Sequence, residues 1–461
     1  MVVQHNMQAA NANRMLNVTT GQQAKSTEKL SSGYRINRAA DDAAGLTISE
    51  KMRKQIKGLD RASTNAEDGV SAVQTAEGAL TEVHSMLQRM NELATQSANG
   101  TNSNTDRKAI QDEIDQLTTE IDRVSETTKF NETYLLKGDG AEKAHNVNAH
   151  DAGIDGVSLT DKGDTVDVTL KELKAGDKIS IAGKNYTIGA EATDGQALVD
   201  GQADAGKTIT VNGTTYTYKN DKWTDADGND ATVGNGNTTA GTIKIGEGDV
   251  VSNGTKTLTV MKGVADGIDD NDSTVITAKK AYQLETAEIL KASNIGTDTA
   301  AAADKNTGAL ADATNKFTLT KGKVNYNDAL SFNLHVGADA DMTNKITVNI
   351  DSMNSAGLGV KGIKADTEQD ATYAIDAIAD AISTVSSQRS ALGAVQNRLE
   401  HTINNLDNVV ENTTSAESRI RDTDMAEEMV NYSKNNILAQ AGQSMLAQAN
   451  QSNQGVLSLL Q

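Results

Sequence analysis

The fold is decided between residues 52 and 94, MRKQIKGLDRASTNAEDGVSAVQTAEGALTEVHSMLQRMNELA. Apolar residues recur there every seven positions, and most are followed three positions later by another small or apolar residue. This spacing places both sets on one stripe of an α-helix, and a stripe sustained over so many heptads is typical of a coiled coil. The stripe comprises Met52, Leu59, Ala66, Val73, Leu80, Leu87 and Ala94, accompanied by Ala62, Gly69, Ala76, Val83 and Met90.

The periodicity predicts one continuous helix over about residues 44–98. Such a helix would be roughly 80 Å long at 1.5 Å per residue, which is too long for the interior of a compact domain. Residues 99–104, Asn-Gly-Thr-Asn-Ser-Asn, are typical of a turn and predict the end of this helix. Because this connection is short, the next helix should fold back antiparallel on the first.

Two further apolar stripes predict two more helices. One helix begins near Asp106, an acidic residue that suits the start of a helix, and the other lies near the C-terminal end. The three stripes together predict a rod-like helical bundle built from both ends of the chain. The second stripe comprises Ile110, Ile114, Leu117, Ile121 and Val124, and the third comprises Ile378, Val385, Leu392, Leu399 and Leu406, with Ala381, Val395 and Val409.

The middle of the chain, residues 138–365, is rich in Gly, Asp, Thr and Asn. Residues 207–218 alternate around Asn212-Gly213, a strong hairpin signal, and residues 179–188 form a similar pattern around residues 182–185. Further strands are predicted at 256–260, 317–320, 330–336 and 346–350, and one helix at about 274–292. The predicted fold class is therefore mainly α at both chain ends, a long coiled-coil-like bundle, with a central β-rich insert.

The composition excludes several classes of protein. The chain has 461 residues, 37% apolar and 3% aromatic, with 43 basic and 63 acidic residues and a net charge of −20. This acidity argues against binding to nucleic acid or to an anionic membrane surface. With no cysteine the chain has no disulfides, and with no proline its long helices are uninterrupted. We expect no secretory signal and no membrane-spanning helix.

The extreme ends, residues 3–31 and 420–461, have amphipathic patterns made of small and polar residues. Such side chains bury little apolar area, so a pair of these helices gains too little to offset the entropy of ordering. We expect both ends to be disordered or marginal in the monomer and to fold when other subunits surround them. The C-terminal stripes comprise Met425, Met429 and Tyr432, then Ile437, Ala441, Met445 and Ala449.

Motifs at both ends resemble the signatures of bacterial flagellins. The N-terminal motifs are KLSSGYRIN at 29–37, DDAAGL at 41–46, GL at 58–59, NAEDG at 65–69 and TAEGAL at 75–80. The C-terminal motifs are RSALGAVQNRL at 389–399, LAQAG at 438–442 and LSLL at 457–460. The resemblance covers about residues 1–137 and 366–461, and the middle of the chain matches nothing known to us.

The resemblance implies a subunit of the flagellar filament, a helical polymer of this chain outside the cell. It implies terminal helices at 1–43 and 411–461 that form an inner tube, a helical rod at 44–137 and 366–410, and a variable surface-exposed domain at 138–365. It also implies export by the flagellar type III system. The implied partners are an export chaperone on residues 420–461, the filament cap and the hook-associated proteins.

The segment QRMNELATQ at 88–96 resembles the part of flagellins that Toll-like receptor 5 contacts. The resemblance implies central contacts from Arg89, Leu93 and Glu113. Arg89 and Leu93 lie off the heptad stripe, so we expect them to face outward. The alternative is that Arg89 is a solvated or intersubunit helix residue. Weaker candidate contacts are Gln88, Glu92, Gln96, Gln116, Ile378 and Ile382.

Some positions depart from the family pattern. Glu132 stands where a Gly is usual, and the end of the chain has no proline at 451–455 and has Gln461 in place of a terminal Arg. Receptor binding without strong activation is therefore one hypothesis.

The sequence predicts no catalytic, cofactor-binding or metal site, and so no enzyme. His84 lies within the heptads, His145 and His150 lie in a polar stretch, and residues 225–230 resemble a calcium loop only superficially. Two alternatives to the filament subunit remain, a hook–filament junction protein and an adhesin or enzyme acting through the insert.

Overall fold

The computed structural model describes residues 6–234, 237–303 and 315–458. Residues 3–5 and 459–461 of the predicted terminal helices lie outside the described residues. The helices are α1 Met7–Ser32, α2 Ala43–Ser97, α3 Asn104–Thr127, α4 Ala192–Asp200, α5 Ala278–Ser293, α6 Glu368–Arg421 and α7 Met425–Ser458. The fold is thus helical at both ends with a β-rich insert, as the sequence predicts.

The strands lie between α3 and α6. They are β1 Lys129–Phe130, β2 Thr133–Tyr134, β3 Asp139–Asn146, β4 Ser158–Asp161, β5 Thr165–Thr169, β6 Lys178–Ile181, β7 Lys184–Ile188, β8 Thr208–Val211, β9 Thr214–Lys219, β10 Lys222–Thr224, β11 Thr232–Val233, β12 Thr242–Ile243, β13 Val250–Ser252, β14 Thr257–Thr259, β15 Val275–Ile276, β16 Ala302–Ala303, β17 Lys316–Thr320, β18 Lys323–Asp328, β19 Leu330–His335 and β20 Lys345–Ile350.

The chain divides into two compact units. The first contains the described residues of Met1–Ser71, Phe332–Val348 and Ala394–Gln461. The second contains Ala72–Ser331 and Asn349–Gly393.

In the first unit, α1 packs against α7. The amide nitrogen of Asn6, the N-cap of α1, donates to the carbonyl oxygen of Ala449 at 3.2 Å, and Lys29 lies 3.6 Å from a carboxylate oxygen of Glu428. Gly33 ends α1 in the left-handed conformation that glycine adopts without strain.

The first unit also holds the end of β19 and the turn that follows it against two glycines of α2. A Cβ atom added at Gly58 would lie 2.9 Å from the Cβ of Ala338, and one at Gly69 would lie 2.3 Å from a methyl carbon of Leu334. Asn65, between these glycines on α2, donates to the carbonyl oxygen of His335 at 3.0 Å. The missing side chains therefore allow the hairpin to lie directly on the helix backbone.

Gly58→Ala is expected to leave the chain about 1–3 kcal/mol less stable than a matched Gly78→Ala variant, because the added methyl group lies 2.9 Å from the Cβ and 3.1 Å from the Cα of Ala338, which no side-chain rotation can move away. Gly78 is on the same helix, and nothing lies within 4 Å of a Cβ added there. Gly78→Ala should be more stable than the unaltered chain by up to about 1 kcal/mol, because alanine is the better helix former. Urea denaturation compares the two variants, and equal effects would show that Ala338 does not rest on Gly58.

In the second unit, α3 folds back antiparallel on α2, as predicted. The Arg107 guanidinium donates to the carbonyl oxygens of Ser97 at 2.9 Å and Asn99 at 3.1 Å. Ser103 and Asp106 form a capping box at the start of α3.

The part of the insert that lies in the second unit contains several small sheets. Their strand orders are β10-β9-β8-β13-β14, β15-β7-β6, β16-β17-β5-β4 and β18-β3. The predicted hairpin at 207–218 is confirmed as β8–β9, with Asn212 and Gly213 at positive φ as a two-residue turn requires. The turn of the β6–β7 hairpin is shorter than predicted, because only Ala182 and Gly183 separate the paired Ile181 and Lys184.

The predicted helix at 274–292 begins at Ala278, because the Thr277 side chain caps it. Helix α4 and several short strands were not predicted.

The insert has separate apolar clusters. One contains Val168, Tyr282, Ile289 and Phe317, and another contains Ile181, Ile188, Ile276 and Ala281. Helix α5 contributes to both clusters, so it is buried on several sides. A third cluster, from α4 and the five-stranded sheet, includes Trp223.

The heptad residues occupy mostly buried positions. Val73, Leu80, Leu87, Val385, Leu392, Leu399 and Leu406 are buried, whereas Met52 and Leu59 are half-buried. Val409, also predicted on the third stripe, is exposed, which corrects that prediction.

Candidate interaction surfaces of the helices

An ion cluster lies on the exposed faces of α2 and α3. The Arg89 guanidinium lies 2.9 Å from a carboxylate oxygen of Glu113 and 3.2 Å from one of Glu92. The two carboxylates, with Glu113 the larger cause, raise the pKa of Arg89 above its usual value. All three side chains are at least 45% exposed, so water screens the pairs and they add little to stability. The two carboxylates hold the Arg89 guanidinium in one orientation at the surface.

Polar side chains surround this ion cluster. Gln88, Gln96 and Gln116 are exposed, and the Gln88 amide nitrogen lies 3.1 Å from a ring nitrogen of His84. The side chain of His84 therefore contacts the residue one turn later on the same helix.

Two predicted contact residues do not face outward. Leu93 is 2% exposed and Ile378 is 0% exposed, so the expectation that Leu93 faces outward is wrong, and Ile378 lies in the core. Ile382 is half-buried. The physical reason is the width of the buried stripe on α2. Leu93 is buried beside Ala94, just as Ala72 is buried beside Val73, so burial extends beyond the two columns of a two-stranded coiled coil.

Residues of the terminal motifs meet within each unit. In the second unit, Arg389 donates to a carboxylate oxygen of Glu77 at 2.8 Å, joining the motifs at 389–399 and 75–80. In the first unit, the backbone N–H of Arg35 donates to the carbonyl oxygen of Arg421 at 2.7 Å, and the Arg421 guanidinium stacks on Tyr34. The sequence did not predict these contacts, because the spacing of residues in one sequence does not show which distant residues will meet.

The terminal helices α1 and α7 carry nine large apolar side chains that remain exposed among the described residues, and Val430 is the most exposed of them at 68%. So many exposed apolar side chains on two helices indicate that another protein covers these helices. This set, the terminal apolar face, comprises Met7, Met15, Val18, Met425, Met429, Val430, Ile437, Leu438 and Met445.

Other candidate sites have ordinary structural roles. A ring nitrogen of His150 lies 3.0 Å from a carboxylate oxygen of Asp376. His145 stacks on Tyr326. Asp225 accepts hydrogen bonds from the backbone of Asp227 and Asn229, which closes a turn.

Within residues 6–234, 237–303 and 315–458, no three or more His, Asp or Glu side chains are placed together to hold a metal ion. None of the helices in these ranges combines the length and the hydropathy that a membrane span requires.

Comparison with known proteins identifies the family. Residues 3–141 match the model of the bacterial flagellin N-terminal helical region, and residues 375–460 match that of the C-terminal helical region. A flagellin of Clostridium tyrobutyricum is 41% identical over 98% of this chain and 100% of its own length. The chain belongs to the bacterial flagellins. Flagellin D of Vibrio cholerae is 35% identical over 99% of both chains, and a flagellin of Halalkalibacterium halodurans is 34% identical over 100% of both.

As a flagellin, the chain is an extracellular structural subunit of the flagellar filament and not an enzyme. The relatives match along the whole chain, including the insert, which favours the filament subunit over the hook–filament junction alternative. The two family models cover the helices that carry the ion cluster and the terminal apolar face.

Proposed function

We propose that this flagellin polymerises through its terminal helices. Residues 1–43 and 411–461 form the inner part of the filament, residues 44–137 and 366–410 the rod, and residues 138–365 the outer surface. The observation that supports this proposal is the terminal apolar face. Burial of apolar surface yields about 25 cal/mol per Å², so neighbouring copies that cover this face stabilise both the helices and the polymer.

Removal of α7, by ending the chain at Asp424, is expected to abolish polymerisation and to leave a folded monomer. The reason is that Met425, Met429 and Ile437 leave with α7, whereas the clusters of the second unit lie elsewhere in the chain. Short filament seeds are added to both chains, and negative-stain electron microscopy images the products. The full chain is the control and should form long tubular filaments.

Normal filaments from the shortened chain would contradict the role of α7 in assembly. Persistent monomer from the full chain, with its termini sensitive to protease, would contradict the proposal as a whole. Circular dichroism on the same samples shows whether the shortened chain is folded.

The route to the filament is part of the same proposal. The chain leaves the cell unfolded through the flagellar type III system, with an export chaperone on residues 420–461. It then assembles near the filament cap and the hook-associated proteins. The sequence suits this route, because the chain has no disulfides to form and no prolyl isomerisation to slow refolding.

The Arg89 cluster is proposed as the contact for Toll-like receptor 5. Arg89, Glu113 and Glu92 present directed hydrogen-bond donors and acceptors, flanked by the exposed Gln88, Gln96 and Gln116. Arginine is frequent among the residues that dominate interface energetics, because its planar fork makes several directed bonds. Leu93 and Ile378 are buried and are therefore not part of this proposed contact.

Arg89→Ala is expected to weaken receptor binding at least about tenfold, because the substitution removes the guanidinium and leaves two carboxylates unpaired. The matched control is Arg123→Ala on α3. Arg123 is also exposed and paired with a carboxylate, Glu120. Titration calorimetry with the receptor ectodomain measures both variants, and equal affinities for Arg89→Ala and the unaltered chain would reject this contact.

A further inference from the structure

Methionine dominates the terminal apolar face. Five of the nine members of this face are methionines, and they are between 48% and 67% exposed. A thioether side chain is flexible and fills irregular gaps, so it suits a surface that other subunits cover. The thioether is also the most easily oxidised of the apolar side chains on this face. The five face methionines are Met7, Met15, Met425, Met429 and Met445.

The face methionines lie toward both ends of the packed helices α1 and α7. Met7 begins α1 and follows the N-cap residue that donates to Ala449, one turn after Met445. Met425 and Met429 lie at the other end of α7, one turn apart and on the same side of the helix. A change of chemistry at these sulfur atoms therefore reaches both ends of the surface that the terminal helices present.

An exposed thioether accepts an oxygen atom from a peroxide. A lone pair of the sulfur bonds to one oxygen of hydrogen peroxide while the O–O bond breaks. The proton on the transferred oxygen passes to the departing hydroxide, which leaves as water. The sulfur is oxidised by two electrons to a sulfoxide, and the peroxide is reduced to water. The chain has no cysteine, so no thiolate competes with the methionines for the oxidant.

Methionines outside the face serve as internal references. Met90 and Met353 are 0% exposed and lie in the second unit. Met342, in the turn between β19 and β20, is 72% exposed and does not belong to the face. Because oxidation follows exposure, the face methionines and Met342 should react first, whereas Met90 and Met353 should be protected.

We propose that the five face methionines are sites of reversible oxidation by peroxide, and that this modification prevents the free subunit from joining the filament. A sulfoxide is polar, so its burial against apolar surface is unfavourable without a hydrogen-bond partner. Oxidation thus opposes the burial of apolar surface that drives assembly. The proposal rests on polymerisation through the terminal helices, and it implies that neighbouring subunits protect the same methionines once the filament has formed.

The experiment treats the free full chain with hydrogen peroxide and removes the excess with catalase. Mass spectrometry of peptides should find one added oxygen atom on each face methionine and on Met342 well before Met90 and Met353 react. The oxidised chain is then added to filament seeds, and sedimentation measures the subunit concentration that stays in solution at equilibrium. That concentration should rise about tenfold or more, and methionine sulfoxide reductases should lower it again.

Two variants assign the effect to the face. In the first, leucine replaces all five face methionines, which keeps a similar apolar volume and removes the sulfur. This variant should extend seeds after peroxide treatment as well as before. The matched control, Met342→Leu, removes an equally accessible methionine outside the face and should remain sensitive to peroxide. The five substitutions are Met7→Leu, Met15→Leu, Met425→Leu, Met429→Leu and Met445→Leu.

The outcomes separate this inference from the proposed function. Unchanged seed extension by the oxidised chain overturns the inference, and so does peroxide sensitivity that persists in the five-leucine variant. If that variant does not polymerise even untreated, recovery of the oxidised full chain by the reductases supports the inference and failure to recover overturns it. Failure of the untreated full chain to extend seeds contradicts the proposed function. Peptide analysis still decides whether the face methionines are oxidised before Met90.

Peroxide treatment of finished filaments tests the protection that the proposal implies. The face methionines should stay reduced in the filament, while Met342 serves as the reference for an exposed thioether. Face methionines that react as fast in the filament as in the free chain would contradict both their burial by neighbouring subunits and the block to assembly.

Discussion

Leu87→Asp is expected to unfold the helical part of the second unit. Leu87 is 0% exposed on α2, in the stripe that also buries Leu80, Val83 and Met90. Removing a buried leucine side chain costs about 2–5 kcal/mol, and a buried carboxylate without a partner adds several more. The sum is comparable to the whole stability of a typical domain, about 5–15 kcal/mol.

The matched control for this prediction is Gln88→Asp. Gln88 is the next residue on the same helix and is exposed, so the same new side chain should change stability by about 0.5 kcal/mol or less. Circular dichroism at 222 nm during heating follows the helices of both variants. An unaltered melting curve for Leu87→Asp would show that the heptad stripe is not core.

Glu285→Gln is expected to remove a pH-dependent loss of stability from the insert. Glu285 lies on α5 and is 1% exposed, and its Oε2 atom has no hydrogen-bond partner among the described residues. Burial away from water disfavours the charged carboxylate and raises the pKa of Glu285 to about 7, from the ordinary value of 4.5.

The sign of the effect follows from proton binding. Between pH 4.5 and about 7 the folded chain keeps the proton on Glu285 while the unfolded chain has lost it, so stability falls as the pH rises through this window. Above pH 7 both states are ionised and the loss is complete. A shift from 4.5 to about 7 corresponds to about 3 kcal/mol.

The measurement is urea denaturation of both chains from pH 4.5 to pH 8. Glutamine has the shape of protonated glutamate but does not titrate. At pH 8 the variant should therefore be more stable than the unaltered chain by about 3 kcal/mol. Glu172→Gln is the control, because Glu172 is exposed and lies near Tyr282, the neighbour of Glu285 on α5. Parallel pH profiles for Glu285→Gln and the unaltered chain would contradict the burial of a protonated carboxyl at this position.

Local patterns predicted the long elements closely. The heptads predicted a helix at 44–98, and α2 runs from Ala43 to Ser97. Asn212-Gly213 predicted the β8–β9 hairpin. Such features follow from neighbouring residues, since helical periodicity and turn conformation depend on positions a few residues apart.

The predictions were weaker where burial depends on distant neighbours. Leu93 lies off the heptad stripe and was expected at the surface, but it is buried because the covered side of α2 is wider than one seam.

The β6–β7 turn was predicted too long because Ala182 adopts positive φ. An alanine in a sequence does not indicate that conformation, which is uncommon for residues other than glycine.

Residue order along the chain was enough to predict the helical ends and the β-rich insert, and the terminal motifs were enough to indicate the flagellin family, because each of these is a local pattern. Only the tertiary structure showed the pairing of Arg89 with Glu113, the burial of Glu285 and the adjacency of Ala190 and Met261. The physical reason is that each of these features joins groups from separate segments, or depends on what other segments exclude from water, and residue spacing along one chain carries no information about such contacts.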